Sequence, residues 1–260
     1  MNERRKSLAI LILSCDNYED LWKPFFENFK KMWPDCDKRI YLITNHKRFD
    51  EESVISLEVG DDISWGSNLL GALEKITEEY VLTIFDDLFF KYKVDTDKID
   101  KLFDKFLNEE MDYMKLNHTK SMNLKNIKAG IGLIPSGAAY RSSAVIAIWK
   151  KSILKQICNS HDSAWDFEIY GSERTDKYYR WYGCAYEALP VDNLVIKGKY
   201  ERKAYDRISK KGILLSTKRK QMSRLENLKY DFSMYRSILF YDYIPFSLQR
   251  IVRKIFGSYS

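Results

Sequence analysis

Short apolar runs alternate with amphipathic segments from residue 8 to residue 85. Residues 8–13 and 39–44 are predominantly apolar, and residues 18–32 between them carry apolar side chains at helical spacing. This order predicts two parallel strands joined by a crossover helix. The alternation continues in three segments: a short strand at 54–59, a helix at 67–79 and an apolar strand at 80–85. The sequence therefore predicts an α/β fold, a single domain on an open, mostly parallel sheet flanked by helices.

The rest of the chain has a weaker pattern. Residues 95–108 predict a surface helix, residues 140–149 a strand and residues 151–158 a short helix. The chain ends with an aromatic-rich stretch at 230–246 and a segment at 247–256 with helical spacing. These last two segments predict helices that follow the main domain.

Charge divides the chain into an acidic body and a basic tail. Residues 197–260 hold sixteen Lys and Arg against five Asp and Glu, a charge of +11, which leaves −5 for residues 1–196. We expect a main domain over residues 1–220 and a basic helical extension over residues 221–260. A basic tail suits an anionic partner, whether a membrane surface, a nucleic acid or a phosphate-bearing substrate, and charge alone does not choose among them.

The end of the tail has the pattern of an interfacial helix. Apolar and basic side chains occupy different positions of the same turns: the apolar Leu248, Ile251, Val252, Ile255 and Phe256, and the basic Arg250, Arg253 and Lys254. This pattern predicts peripheral binding to an anionic membrane. A terminal helix docked on the core of its own domain has the same pattern, so both alternatives stay open.

The cysteines and the apolar runs bear on the location of the protein. The four cysteines form neither a Cys-x-x-Cys pair nor a zinc spacing, which favours a reduced compartment. No apolar run approaches the roughly 20 residues of a membrane span. The start of the chain also imitates a short lipoprotein signal that ends in Ser14-Cys15, but a buried strand explains the same residues. We therefore expect a cytoplasmic location, with the basic tail as a means of peripheral attachment to the inner face of the cytoplasmic membrane.

Two acids follow the apolar strand at 80–85 and form the first candidate site. Ligands on open α/β sheets bind beyond the carboxyl ends of the strands. The polar residues at these ends are Ser14 to Asp16, Asn45-His46 and Asp86-Asp87. Adjacent carboxylates beside a core are costly unless their charge is compensated, and a divalent cation that bridges phosphate oxygens compensates it. The alternative is that Asp86 and Asp87 cap the next turn or helix.

Several common sites are absent from the sequence. Gly-x-Gly-x-x-Gly does not follow the first strand and no Walker loop occurs, which disfavours dinucleotide binding and P-loop phosphoryl transfer. His46, His118 and His161 lack a plausible partner spacing, so a histidine metal site or a Ser-His-Asp hydrolase has little support. The Gly-x-Ser-x-Gly elbow is also missing.

Two further segments carry candidate chemistry. Residues 165–168 (Trp-Asp-Phe-Glu) place two acids beside an aromatic wall, which can raise the pKa of a carboxyl group and stack on a sugar or base. This suits a general base. The alternative is an amphipathic turn with Trp165 and Phe167 in the core and both acids solvated. Residues 197–199 (Lys-Gly-Lys) predict either a flexible loop that folds over a diphosphate or a solvated basic loop.

Taken together, these segments resemble a bacterial glycosyltransferase of the GT-A fold, of the kind that builds capsule or lipopolysaccharide chains. The resemblance covers about residues 7–200 and rests on the order of these segments: Ser14–Tyr18 after the first strand, Trp65 ahead of the helix that precedes Tyr80–Asp87, residues 140–149 with 151–154, and Trp165–Glu168. It implies a nucleotide-sugar donor, with a UDP-sugar as the expected one. It also implies a saccharide or lipid-linked saccharide acceptor and no nucleic acid partner.

The resemblance assigns roles to the acids. The family's metal motif is Asp-x-Asp, and Asp87 stands at its last acid. This implies that Asp87 binds Mn²⁺ or Mg²⁺ on the nucleotide diphosphate, with Asp86 on the metal or the ribose. Phe85 stands where the first acid would be. The segment at 165–168 is similar to the Trp-Gly-x-Glu-Asp of some members, where an acid deprotonates the acceptor hydroxyl, which implies Glu168 as the base and Asp166 as the alternative.

The resemblance also implies a donor pocket and a mechanism. The implied pocket residues are Ser14, Asp16 and Tyr18 around the nucleoside, with Trp65 and Asn68 close by. Transfer would be inverting, with Lys199 and the metal stabilising the departing diphosphate, and a retaining route is the alternative if no base is found. Two other functions stay open: a nucleotidyltransferase that uses the same acid pair, and a non-enzymatic carbohydrate-binding or scaffold protein.

Overall fold

The computed structural model describes residues 7–256, so the charged head of the lipoprotein-like start and the side chain of Phe256 lie outside the described part. The strands are, in chain order, β1 (Leu8–Leu13), β2 (Ile40–Thr44), β3 (Val54–Glu58), β4 (Tyr80–Phe85), β5 (Leu88–Phe90), β6 (Tyr113–Lys115), β7 (Lys125–Lys128), β8 (Ile131–Leu133), β9 (Ala147–Lys150), β10 (Trp181–Cys184), β11 (Val191–Asn193), β12 (Val195–Ile196) and β13 (Lys199–Tyr200). The α-helices are α1 (Glu19–Met32), α2 (Trp65–Lys75), α3 (Thr96–Asn108), α4 (Lys151–Ile157), α5 (Ala164–Arg174), α6 (Arg202–Lys210), α7 (Arg224–Tyr243) and α8 (Phe246–Phe256).

One large sheet forms the centre of the molecule. Within residues 7–256 it has nine strands, in the order β3-β2-β1-β4-β9-β6-β10-β8-β7. Seven of them point the same way, whereas β9 and β8 run in the opposite direction. All six residues of β1 are buried between β2 and β4, which explains why its run is apolar throughout. The prediction of an α/β fold on an open, mostly parallel sheet is confirmed.

Helices cover both faces of this sheet. Aromatic residues of α1 and α3 fill the core on one face, and α2, α4 and α5 pack on the other. On the second face Tyr113, Trp149 and Trp181 stand side by side on β6, β9 and β10, with ring centroids 4.3 to 5.6 Å apart. Each such buried aromatic side chain contributes about 1.5–3 kcal/mol through burial. This block of rings packs across β6 and its two neighbours, β9 and β10.

The strand predicted over 140–149 forms only from Ala147 onward. Tyr140 and Ile146 have φ angles of +51° and +48°, which interrupt the extended backbone. Arg141 is buried and donates to three backbone carbonyls, including that of Tyr178 at 2.7 Å. The prediction was wrong for residues 140–146 because a buried arginine and its hydrogen bonds take the backbone out of the ladder.

The C-terminal extension consists of α7 and α8. α7 begins in a capping box, in which the side chains of Ser223 and Glu226 each accept from the backbone N–H of the other. α8 packs on the main domain through Arg250, which forms an ion pair with Asp176. The inner side of α8 therefore packs on the chain's own domain, as the alternative of a docked terminal helix expects. Between residues 7 and 256, no helix has the length and apolar character needed to cross a bilayer.

Candidate active site

A cleft of about 430 Å³ opens at the carboxyl ends of β1, β2 and β4. Its lining residues are Leu13, Ser14, Cys15, Tyr18, Ile43, Asp62, Trp65, Asn68, Leu69, Phe85, Asp86 and Asp87. This is the edge at which open α/β sheets bind ligands. Six of the residues predicted for the site are therefore brought together here. The others do not line the cleft: Asp16, Asp166, Glu168 and Lys199.

Asp86 is held in the cleft by a chain of hydrogen bonds. Its carboxylate accepts from the Ser14 hydroxyl, and the Ser14 oxygen accepts from the Trp22 indole N–H at 2.7 Å. Asp86 is only 3% exposed. Burial and the neighbouring charge of Asp87 raise the pKa of Asp86 well above its usual value, against the opposing effect of the Ser14 hydrogen bond. The ionised form of Asp86 therefore needs a counter-charge.

Asp87 also lacks a counter-charge. Burial raises its pKa to about 6, although the positive charge of Arg219 opposes the rise. Between residues 7 and 256, no lysine or arginine forms an ion pair with Asp86 or Asp87. Two such carboxylates suit Mg²⁺ or Mn²⁺, because Mg²⁺ is usually held by one or two carboxylates together with substrate phosphates and water.

The described residues do not by themselves form a complete set of metal ligands. Among the described residues, no group of three or more His, Cys, Asp and Glu side chains is arranged to hold a metal ion. The acid pair therefore fits a cation that arrives with, or is completed by, the oxygens of a phosphate.

Arg219 lies beside the acid pair and was missed in the sequence. Its guanidinium donates to the Asp20 carboxylate at 2.8 and 2.9 Å, and it lies 4.5 Å from the ring centroid of Tyr18. Its charge lowers the pKa of both Asp86 and Asp87 against the effect of burial. In the sequence Arg219 is one of three consecutive basic residues, and such a run does not predict where in the fold its members lie. Among the described residues, Arg219 is the cation whose charge acts on both acids.

The start of α2 supplies another wall of the cleft. α2 begins at Trp65 because the Ser64 hydroxyl caps it, accepting from the Ser67 N–H at 2.9 Å. One turn later Asn68 donates to the Asp62 carboxylate at 2.6 Å, which brings in an acid that sequence reasoning did not identify. A large aromatic ring and an amide–carboxylate pair give this wall both a stacking surface and polar groups for a sugar or base.

Gly66 allows α2 to pack closely against the segment before α5. An added Cβ at Gly66 would lie 2.0 Å from the carbonyl oxygen of Asn159, so a larger residue does not fit. This close approach brings Trp65 onto Phe167 of α5, with ring centroids 5.1 Å apart. The wall of the cleft and the helix that carries Glu168 are therefore packed as one unit.

Asp16 joins two strand ends. Its carboxylate accepts from the backbone N–H groups of Asn45, His46 and Lys47 at 2.8, 2.9 and 3.2 Å. Its own N–H donates to the Asn45 side chain at 3.1 Å. These bonds fix the carboxyl end of β1 against that of β2 and so shape the cleft from behind. A contact between Asp16 and a nucleoside stays a prediction.

Glu168 belongs to a second group of charged side chains, near the end of β6. It accepts from the Ser143 hydroxyl at 2.7 Å. Burial raises the pKa of Glu168, while the charge of Lys115 and this hydrogen bond oppose the rise. Lys115 is 6% exposed and stands in register between Ala147 and Gly183, whose small size leaves room for it. Glu168 thus has the burial and the positioned hydrogen-bond donor expected of a general base.

Asp166 and Lys199 make contacts away from the cleft. Asp166 caps α5, where it accepts from the Ser163 N–H at 3.1 Å. Lys199 follows a two-residue hairpin turn whose residues both have positive φ angles, and it pairs with Glu226 at 2.5 Å. Where a flexible loop was expected, the chain forms a tight hairpin.

No protein-family model matches the chain, and no curated protein matches it in sequence. Among solved structures it is similar to TarS 1–349 of S. aureus, with a TM-score of 0.44 and 9% identity, over 68% of this chain and 60% of that one. A cytidylyltransferase from Leptospira borgpetersenii gives 0.46 and 13%, over 89% and 96%. The galactosyltransferase LgtC, solved with donor and acceptor sugar analogues, gives 0.40 and 11%, over 68% and 72%. These TM-scores do not separate sugar transfer from nucleotidyl transfer.

Proposed function

We propose that the chain is a metal-dependent glycosyltransferase that moves a sugar from a nucleotide-sugar donor, with a UDP-sugar expected, to a saccharide or lipid-linked saccharide. Surface polysaccharide synthesis, of the capsule or lipopolysaccharide kind, is the setting we infer for it. The observation that carries this proposal is the acid pair of buried Asp86 and half-buried Asp87, which has no ion pair of its own within residues 7–256 and lines a cleft with an aromatic wall. Residues 1–220 would form the catalytic domain and residues 221–260 a helical extension.

The cleft supports the binding of a nucleoside diphosphate. Its volume of about 430 Å³ lies within the range of roughly 300–1,000 Å³ common for small-ligand sites. Tyr18 and Trp65 offer rings for the base or sugar, and Asp87 with Asp86 would hold Mn²⁺ or Mg²⁺ on the diphosphate. The metal, when bound, neutralises charge on the departing diphosphate. Arg219, whose charge acts on both acids, would stabilise the diphosphate in the role expected of Lys199.

Glu168 supports an inverting reaction. Its carboxylate would take the proton of the acceptor hydroxyl as that oxygen attacks the sugar. Burial raises the pKa of Glu168 toward the range in which a base both ionises and accepts a proton, while Lys115 keeps the ionised form accessible. Asp166, held in a helix cap, is less available for this role.

One observation favours nucleotidyl transfer as a second candidate. The acid pair lines the cleft, whereas Glu168 does not. A phosphate nucleophile is already ionised at neutral pH and attacks phosphorus without a protein base. The products separate the two reactions: a nucleotide sugar with an acceptor releases nucleoside diphosphate in sugar transfer, and a nucleoside triphosphate with a sugar phosphate releases pyrophosphate in nucleotidyl transfer.

The central test is calorimetry of UDP with and without Mn²⁺, on the unmodified chain and on Asp87→Asn. We expect Mn²⁺-dependent binding in the first and its loss in the second, because the substitution removes the metal-holding carboxylate. Asp61→Asn is the matched control. Asp61 precedes the cleft residue Asp62, but it is exposed and does not line the cleft. Unchanged Mn²⁺-dependent affinity in Asp87→Asn would remove Asp87 from the site. Absence of metal-dependent nucleotide binding in the unmodified chain would favour a non-enzymatic protein.

The proposed location is the cytoplasm, at the inner face of the membrane. Between residues 7 and 256 all four cysteines are free thiols, as a reducing compartment requires. In that location the cleft would have access to nucleotide sugars, and the C-terminal helices would contact the lipid surface.

A further inference from the structure

The outward side of α7 carries an apolar stripe. Five side chains that are 58–79% exposed make up this outer stripe: Leu225, Leu228, Phe232, Tyr235 and Tyr243. Their spacing of three or four residues, with one longer gap, places them on one side of the helix. On the opposite side Asn227 is buried and Tyr230 and Tyr241 are half-buried, whereas Met234 and Ile238 between them are 49% and 44% exposed. A surface helix normally turns its apolar side inward, so an apolar outward side indicates a partner.

Only the negative charges of α7 have ion-pair partners among the described residues. Its three acids are each in an ion pair with a lysine of the main domain or the preceding helix and hairpin: Glu226 with Lys199, Asp231 with Lys203 and Asp242 with Lys120. Its three bases are exposed and form no ion pair with residues 7–256: Arg224, Lys229 and Arg236. The outward side of α7 therefore combines apolar side chains with three uncompensated positive charges.

α8 adds apolar surface without adding free charge. Leu248, Ile251 and Ile255 are exposed at a spacing of three and four residues. Its basic residues turn to the protein instead: Arg250 pairs with Asp176, Lys254 pairs with Glu173, and Arg253 lies over the rings of Phe240 and Tyr241. The sequence pattern had placed the membrane-facing charges on α8, whereas the structure leaves them on α7.

We propose that the outer stripe of α7, together with the exposed apolar side chains of α8, docks on an anionic lipid bilayer. Leucine, phenylalanine and tyrosine side chains flanked by basic residues suit a helix lying in the plane of the interface, with the rings near the headgroups. A second copy of the chain is a poorer occupant, because two stripes face to face would bring six uncompensated cations together. The inference does not depend on the proposed reaction, since it concerns a surface on the outward side of α7.

The test is co-sedimentation of the full chain with two kinds of vesicle: phosphatidylcholine alone, and phosphatidylcholine with phosphatidylglycerol. We expect binding to the anionic vesicles that weakens at high salt. In the triple variant Arg224→Gln, Lys229→Gln, Arg236→Gln, the partition coefficient should fall about 100-fold, the effect of three basic residues near an anionic surface. A second triple variant, Leu225→Gln, Leu228→Gln, Phe232→Gln, should lose binding to the anionic vesicles.

Leu214→Gln is the matched control, because Leu214 is 87% exposed and lies outside both helices; it should bind as the unmodified chain does. All substituted side chains are exposed, and circular dichroism checks the fold. Should the apolar variant unfold, the charge variant still decides the question. No binding of the unmodified chain, or equal partitioning of all variants, would overturn the proposal. The proposal would also be overturned if sedimentation velocity showed that the apolar variant loses a dimer while its binding to vesicles is unchanged.

Discussion

Two groups of carboxylates stand at the same edge of the sheet and differ in their counter-charges. Asp86 and Asp87, after β4, have raised pKa values and no ion pair within the described residues. Glu168 is half-buried, and the charge of Lys115 and the Ser143 hydroxyl oppose the effect of burial on its pKa. The protein thus supplies what Glu168 needs and leaves the acid pair incomplete. Under the proposed function, the acid pair would take its counter-charge from a ligand and Glu168 would handle a proton.

The largest effect should come from Glu168→Gln. The amide cannot accept the acceptor proton, so kcat for transfer should fall by ~10²- to 10⁴-fold while donor affinity stays nearly unchanged. Steady-state kinetics together with donor calorimetry measure the two quantities.

Asp166→Asn is the control for Glu168, and it should keep turnover while costing at most about 1 kcal/mol of stability through the weakened helix cap. Inactivity of Asp166→Asn with an active Glu168→Gln would reverse the assignment of the base. Activity of both variants would leave neither as the base and favour a retaining or nucleotidyl route.

The second effect concerns stability without ligand. Asp87 has a folded-state pKa of about 6 against an ordinary value of 3.8, so the folded chain loses stability as pH rises through that interval. Asp87→Asn should therefore raise the free energy of unfolding at pH 7 by about 2–3 kcal/mol, and this gain should vanish below about pH 4. Urea denaturation at the two pH values measures it.

Glu168→Gln provides the contrast for this measurement. The carboxylate of Glu168 offsets the cost of burying the Lys115 ammonium, and Glu168→Gln removes it. This variant should therefore not stabilise the chain as Asp87→Asn does. Equal stabilisation by both variants would show that Asp87 and Glu168 do not differ in how well the protein offsets their charge.

The smallest effect is expected at Lys199. It is half-exposed and paired with Glu226, so Lys199→Gln should leave UDP affinity in the presence of Mn²⁺ within about twofold and stability nearly unchanged. Arg219→Gln, beside the acid pair, should weaken UDP binding about tenfold or more through loss of a charge near the diphosphate. The reverse ranking would mean that the hairpin carries its lysine to the diphosphate after all.

The cleft could be predicted from the sequence where chain order determines position. The carboxyl ends of parallel strands share one edge, so Ser14 and the acid pair had to lie together, and Trp65 followed from the helix before β4. Arg219 could not be predicted, because it reaches the ring of Tyr18, a cleft residue, from an irregular segment far along the chain. Lys115 was overlooked for a different reason: lysine is rarely buried, and only the small neighbours on β9 and β10 make space for it.

β9 runs against its neighbours and therefore enters the sheet from the ligand edge. The chain must cross that edge before β9 begins, and residues 140–146, with Ser143 next to Glu168, are the crossing. Substitutions in this crossing would change the surroundings of Glu168, while the ladder pairing of β9 with β4 begins only at Ala147. Under the proposed function, the half at β4 would hold the donor, and this crossing would shape the side that receives the acceptor.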